Sequence, residues 1–378
     1  MKEIDKNKKI RIVSFQNAHN FGAVCQAYGL QQALFEMGCK DVKFYNYNPQ
    51  YLKDRYDPFK LWEHPNFNVS LFHKISRFIR WFSIILATYY RNAKFKSSIK
   101  RMLQQTDKEV CLTKDFSNEE ADILICGSDQ IWNNELTKGL DSVFFGLAMK
   151  KVEKVVAYAP STEISSLSEE IIRDIADKTA HFSKISVREQ SVREKLKQVI
   201  TKPIEVCVDP TILCSKEAYN KIATHNLVKV PYICVYAYYP DEKIVQEVIK
   251  TIPNYKQYEV RYVSFTAASM NKWRDKSYHF AISVEDFISY FKYASYVVTN
   301  SFHGLAFSLI FEKNFMVTWM ENKSTRTEAL LRQLNLVNRL VCSVSETSWQ
   351  DIDYKRVNQE IESLRKHSIK FIEDSINN

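Results

Sequence analysis

Glycine is scarce in this chain, with seven in 378 residues against an ordinary share of about 7 % of positions. Most of those glycines therefore have a specific backbone task, and Gly22, Gly127 and Gly304 fall in the loops discussed below. A G-x-G-x-x-G fingerprint is missing, so a dinucleotide is not indicated. The eight cysteines form no C-x-x-C pair and no zinc-type spacing, which argues against a disulfide framework and a metal site. Cys126 in ILIC and Cys234 in YICVY lie in apolar strand-like runs and read as buried thiols of a reducing cytoplasm. The N-terminal MKEIDKNKKIRIVSF has charge but no apolar stretch of signal-peptide length. The longest nearly uncharged run, Trp81 to Tyr90, is too short for a bilayer-spanning helix of about 20 residues. A cytoplasmic protein is expected, at most peripheral at the inner face of the cell membrane. Internal repeats, low-complexity tracts and coiled-coil heptads are also missing.

One further absence is local. Between His64 and Thr106 there is no Asp or Glu, whereas Lys74, Arg77, Arg80, Arg91, Lys94, Lys96, Lys100 and Arg101 supply eight positive charges, nearly the whole net excess of +9. Phe72, Ile75, Ile79, Phe82, Leu86, Tyr89 and Ala93 recur at gaps of three and four, which is one face of a long helix. Two readings stay open. A basic amphipathic helix with Trp81, Tyr89 and Tyr90 suits an anionic membrane surface contacted through residues 64–106. An inserted helix packed on its own domain, with a solvated basic flank, fits equally. Nucleic acid is not expected, since one basic segment without a recognisable module is poor support.

The length suggests two domains, since single cores seldom exceed about 250 to 300 residues, and a hydrophobic content of 45 % can fill them. Ile10 to Phe15 reads as a buried strand, Ala23 to Met37 as an amphipathic helix and Val42 to Tyr47 as a second strand. After the inserted segment, alternation resumes at Ile123 to Cys126 and continues through Lys154 to Ser161, Lys184 to Glu189 and Ile204 to Thr211. Helical patterns at Ser168 to His181 and Gln190 to Ile200 separate them. The pattern loosens from Thr211 to Lys229, then a second series begins at Pro231 to Tyr239. It includes a strand through Tyr296-Val297-Val298, a helix at Leu305 to Phe311, a strand at Phe315 to Trp319 and a last helix from Tyr354 to Ile376. Repeated strand and helix units build parallel sheets covered on both faces. The expected fold is α/β, two doubly wound Rossmann-like domains facing across a cleft. The expected boundaries are 1–215 with an insertion at about 51–106, then 230–350, then a C-terminal helix in 351–378 packing back on the first domain.

The chemistry-bearing residues gather where strands end. His303 follows the strand through Val298 and opens a helix, where unpaired backbone N–H groups attract phosphate or carboxylate. Ser301 is a candidate N-cap and Gly304 would let a ligand approach the backbone. With an ordinary pKa near ~6.5, His303 suits proton transfer. The alternative is a packed histidine in an ordinary turn. Three more strand edges carry polar loops: His19-Asn20-Phe21-Gly22, Gly127-Ser128-Asp129-Gln130 and Ser186-Val187-Arg188-Glu189. Asp129 is a candidate base or acceptor-orienting carboxylate, with a turn cap as the plain alternative. Ser128, Asn300 and Ser301 are candidate substrate contacts, as are Asn20 and, less so, His19. Arg188 and Arg326 offer forks that match carboxylate and phosphate; surface ion pairs would look the same. Trp132 could stack on a sugar or fill the core, and the core is the simpler assignment.

Together these loops resemble the polysaccharide pyruvyl transferase family over nearly the whole chain. The resemblance is carried by NFGAVCQAYGLQ from Asn20, ADILICGSDQIWN from Ala121, KVVAYAPS from Lys154, ISVRE from Ile185, VCVDPT from Val206 and TNSFHG from Thr299, with Asn322 and Arg326 beyond. It implies a glycosyltransferase B-like architecture, and transfer of pyruvate from phosphoenolpyruvate to two hydroxyls of one sugar as a cyclic ketal. It also implies His303 as the acid, no cofactor beyond the phosphoenolpyruvate donor, and a glycan acceptor, whose linkage to lipid or nucleotide the sequence leaves open. Some members carry Arg two positions before the histidine; here Ser301 stands there. Two other functions remain: a nucleotide-sugar glycosyltransferase on the same scaffold, and a non-catalytic membrane-associated scaffold in polysaccharide assembly.

Overall fold

The computed structural model describes residues 5–60, 71–116, 120–238, 242–263, 277–320 and 325–377, with all their side chains except those of 71–81, 325 and 346. The apolar runs form two parallel six-stranded sheets. The first contains β1 (Lys9–Val13), β2 (Asp41–Phe44), β3 (Glu120–Cys126), β4 (Lys151–Ala157), β5 (Lys184–Val187) and β6 (Ile204–Val206), in the order β2-β1-β3-β4-β5-β6. The second contains β7 (Tyr232–Tyr236), β8 (Glu259–Val263), β9 (Tyr278–His279), β10 (Tyr296–Thr299), β11 (Asn314–Thr318) and β12 (Leu340–Val341), in the order β12-β11-β10-β7-β8-β9. Central strands lie between apolar neighbours on both sides: Ile12 pairs with Phe44 and Ile125, and Val298 with Met316 and Val235. Such strands are buried on both faces and need helices over each. The molecule is thus the expected pair of doubly wound α/β units.

The helices are α1 (Phe21–Glu36), α2 (Gln50–Arg55), α3 (Leu71–Met102), α4 (Glu169–Thr179), α5 (Gln190–Leu196), α6 (Pro210–Leu213), α7 (Lys216–Ile222), α8 (Lys243–Lys250), α9 (Val284–Lys292), α10 (Phe302–Ile310), α11 (Thr325–Gln333) and α12 (Tyr354–Asn377). Two differ from expectation in ways that matter. Helix α1 starts at Phe21 rather than Ala23, and α10 at Phe302 rather than Leu305, so His303 lies inside the first turn of α10. The stretch from Thr211 to Lys229, which has no clear periodicity, contains the short helices α6 and α7.

Helix α1 is buried nearly all round, thirteen of its sixteen residues being inaccessible, because it lies between the first sheet and the second domain. Its first residue, Phe21, stacks on Phe287 of α9 with ring centroids 4.5 Å apart and planes within 2°. Tyr28 Oη donates to the Ala218 carbonyl at 2.9 Å. A Cβ on Gly29 would come within 2.2 Å of the Pro210 carbonyl oxygen, so only glycine admits this approach of α1 to α6. One apolar cluster runs from Ile10 and Ile125 through Phe21 to Phe287, Phe307 and Val297, which joins the two domains through a common core. Trp132 is fully buried, stacked on Phe145 at 5.6 Å, and is a core residue.

Helix α12 holds on to both domains. Tyr354 Oη donates to the Lys313 carbonyl at 2.5 Å and Arg356 to that of Leu334 at 2.9 Å. Two turns on, Arg365 donates to the Leu213 carbonyl and Ser368 Oγ accepts from Val208 N–H, each at 3.0 Å.

The face that α3 buries is not the expected stripe. Ile85, Thr88, Arg91, Phe95, Ser98, Ile99 and Met102 point inward, while Phe82, Leu86, Tyr89 and Ala93 are exposed. The side chains of Phe72, Ile75 and Ile79 lie outside those described. Of the eight cations, Arg91 is turned inward: it donates to the His19 carbonyl at 2.6 Å and packs over the Phe95 ring. Burial pulls its pKa down. Ser98 Oγ and Arg101 Nε donate to Glu285 at 2.5 and 2.8 Å, fastening α3 to α9.

Phe21→Ala removes a ring from the shared core, and large-to-small changes of this kind cost about 3 to 5 kcal/mol. Thermal and denaturant unfolding should show a correspondingly lowered midpoint for both domains together; loss confined to one domain would contradict the common core.

Candidate active site

In an open doubly wound sheet the ligand crevice lies at the carboxyl ends of the strands, where strand order reverses. The first sheet reverses between β1 and β3 and the second between β7 and β10. The loops after these four strands bring Asn20, Asp129, Tyr238 and Asn300 to the walls of one interdomain cavity of about 330 Å³, within the size range of small-molecule sites. The cavity is also lined by Arg55, Tyr56, Gln130, Glu163, Tyr236, Ser301, Phe302, His303 and Arg326.

Two helix starts meet there. Asn20 caps α1 with its Oδ1, which accepts from Gly22 N–H at 2.9 Å. Ser301 occupies the N-cap position of α10, but its side chain makes no capping bond, which leaves the first N–H groups of that helix without the usual side-chain acceptor. The two termini touch: a Cβ on Gly22 would lie 2.2 Å from His303 Nδ1, so glycine there makes room for the imidazole. Gly304 has a different task from the ligand approach expected of it. A Cβ on it would reach 2.0 Å from Thr299 Oγ1, so the glycine lets α10 close onto β10.

Burial lowers the pKa of His303, Arg188 and Arg326 add to the fall, and Asp209 and Asp129 oppose it. The unliganded ring is therefore neutral near pH 7. Its Nε2, and Asn300 Nδ2, are shielded from water with no hydrogen-bond partner among the described residues. Asn300 Oδ1 is occupied, accepting from Tyr238 N–H at 2.8 Å. Buried polar atoms are nearly always paired, and these two belong to residues that also line the cavity.

Beneath them is a buried charge cluster. Arg188 donates to Asp209 at 2.5 Å and to Glu189 at 2.9 Å, and Glu189 accepts from Ser161 Oγ at 2.7 Å. Burial alone would raise the Asp209 pKa; Arg188, then His303 and Thr211, outweigh it and hold the carboxyl below its usual range. Arg188 thus has two carboxylate partners and stands outside the main cavity. Its guanidinium lies 5.3 Å from the Phe302 ring centroid and borders a second chamber of about 360 Å³ behind Phe302 and Arg326.

Other candidate residues separate likewise. Arg326 reaches across the cleft: the Gln130 amide oxygen, in the orientation that satisfies both groups, accepts from its two terminal nitrogens at 2.8 and 2.9 Å. Asp129 adopts φ 72° and its Oδ1 accepts from Gln130 N–H at 2.8 Å while it lines the cavity. Ser128 is fully buried and ties its loop to the Ala159 carbonyl at 2.7 Å. His19 lies off the cavity, hydrogen-bonded to Asn92 at 2.7 Å and stacked near Tyr56 and Phe95. Burial takes its pKa down to about 4. Asn322 lies outside the described residues. Arg55, Glu163 and Tyr238 are cavity residues that sequence reasoning passed over. Glu163 closely follows Ser161 in the loop after β4, a fifth strand edge, whereas Arg55 belongs to the insertion and has no motif.

Fold and site together define a two-domain α/β protein of glycosyltransferase B-like layout, with a polar-lined cavity between its domains. The family model for polysaccharide pyruvyl transferase matches residues 20–322, and the chain belongs to that family. Comparison with curated proteins returned no match. Among solved structures, the chain is similar to the S. aureus MnaA–UDP co-structure (11 % identity, 98 % of this chain and 91 % of that one, TM-score 0.44). It is also similar to E. coli heptosyltransferase WaaC with ADP (12 %, 94 % and 99 %, 0.39) and to the glycosyltransferase SnogD from Streptomyces nogalater (10 %, 98 % and 100 %, 0.41).

Gly22→Ala should displace the His303 ring and shift its imidazole NMR signals while helix content is kept; unchanged signals would contradict the contact. Because burial keeps His19 neutral, the folded chain binds fewer protons than the unfolded one between pH 6.5 and about 4. Stability should therefore fall as pH drops through that window, by roughly 3 kcal/mol from this group. His19→Gln should remove that share of the slope in denaturant titrations at each pH.

Proposed function

We propose that this protein transfers pyruvate from phosphoenolpyruvate to two hydroxyls of one sugar in a cell-surface polysaccharide or its precursor, forming a cyclic ketal and releasing phosphate. The observation that carries this reading is the His303 edge of the cavity: an imidazole at a helix start without a side-chain cap, in a cavity that Arg326, Arg55, Asp129 and Glu163 also line. A small dianionic or trianionic donor with an acid-labile enol fits that set. The hydroxyl-bearing acceptor then approaches the carboxylates.

The steps follow from the donor. His303 gives a proton to the methylene carbon, and positive character develops at the neighbouring carbon, which already bears the carboxylate and the phosphate ester oxygen. One sugar hydroxyl adds there and loses its proton to Asp129, our candidate base. The second hydroxyl displaces phosphate at the same carbon, its proton leaving with the products. Backbone N–H groups of α10, with Arg326 and Arg55, hold the donor's charges where they shift during the reaction. With Ser301 where some relatives carry arginine, Arg326 takes the anion-binding role, steered by Gln130.

Burial and the helix start disfavour the imidazolium, and a bound phosphate restores it. Donor binding at pH 7 should therefore take up a proton, and affinity should weaken as pH rises. Calorimetry in buffers of different ionisation enthalpy measures this directly, and His303→Gln should abolish the uptake. With phosphoenolpyruvate and a panel of lipid-linked or synthetic glycosides, the product should gain the mass of pyruvate less one water. His303→Gln should slow that reaction about 10²- to 10⁴-fold, the usual worth of a general acid. Consumption of a nucleotide sugar, with phosphoenolpyruvate untouched, would replace this reading.

A further inference from the structure

We propose that the outer face of α3, from Phe82 to Lys100, docks on an anionic lipid surface. Phe82, Leu86, Tyr89 and Tyr90 are 51, 52, 70 and 55 % exposed, unusual for four large apolar or aromatic side chains within nine residues. Positions 82, 86, 89 and 93 fall on one side of the helix by their spacing of four, three and four. The opposite side is occupied, with Phe95 against Phe21 at 4.8 Å and Ser98 and Arg101 on Glu285. The helix is therefore held rigidly with its apolar stripe outward, which separates the two readings that its sequence leaves open.

Charge identifies the occupant. Lys96 and Lys100 continue the exposed side past the stripe, Lys94 lies 5.3 Å from the Tyr90 ring centroid, and no acid occurs between His64 and Thr106. Aromatic rings and aliphatic side chains beside lysines match the headgroup boundary of a bilayer containing anionic lipid. A second copy of the same face would bring lysine against lysine and no compensating carboxylate, so self-pairing is disfavoured. Among the described residues no helix is long and apolar enough to cross a membrane, so the contact lies on the surface.

The test is co-sedimentation of the full chain with vesicles of phosphatidylcholine alone and with vesicles also containing phosphatidylglycerol. Partitioning should be roughly thirtyfold higher on the anionic vesicles, about what two surface lysines supply, and should fall in high salt. Lys96→Glu with Lys100→Glu should erase the preference. Phe82→Ser with Leu86→Ser and Tyr89→Ser should erase binding while the melting temperature and the helix content are kept. Equal partitioning on both vesicle types, or full binding by the triple variant, overturns the proposal. So does light scattering that shows a dimer which the triple variant converts to a monomer, since the stripe would then be a self-interface.

Discussion

The buried helix α1 sets the geometry of everything else. Its side chains fill the space between the first sheet and the second domain, and the Phe21–Phe287 stack at its start fixes where that start lies. Once it is fixed, Gly22 faces His303, Asn20 faces the cavity, and the N-terminus of α10 meets that of α1. Asn20 caps the first of these helix ends, whereas the second has no side-chain cap, so the N–H groups left over at this junction are those of α10. The proposed donor site rests on that one uncapped end, which favours negative charge.

Around that space the charges are layered. Arg188, Asp209 and Glu189 neutralise one another out of water. Buried pairs of this kind contribute little to stability relative to apolar packing, but they are costly to break because one partner is left alone. Their effect is to place a buried carboxylate where its charge acts on the His303 imidazole. Arg326 is different, since its hydrogen-bond partner across the cleft among the described residues is the neutral Gln130 amide. A guanidinium held by an amide keeps its full charge available, whereas one held by two carboxylates does not.

Much of this was legible in the sequence, for identifiable reasons. The doubly wound fold follows from strands such as Ile123 to Cys126 and Val297 to Thr299, apolar on both faces and separated by helical periods. His303, Asp129, Asn20, Asn300 and Arg326 could be singled out because each follows a strand or begins a helix, and all five line the cavity. Arg188 satisfied the same rule, yet only tertiary structure shows that Glu189 and Asp209 take its Nε and Nη1. His19 stood next to Asn20 in sequence, but a turn at the loop sends the two side chains in different directions. Arg55 and Tyr56 come from the insertion, whose packing depends on contacts far along the chain. The exposed stripe of α3 shows the limit of periodicity: it identifies a face, not which of two faces the protein will cover.

The C-terminal helix α12 has a consequence for how substrates come and go. Because it is fastened to Lys313 and Leu334 at one end and to Val208 and Leu213 at the other, it acts as a tie rod between two bodies that already share an interior. Opening such a molecule like a book would uncover aromatic surface and break both sets of anchors. Both sets of anchors therefore favour access to the cavity through its rim over separation of the domains. On the proposed function, an acceptor sugar would then meet that chamber from its rim.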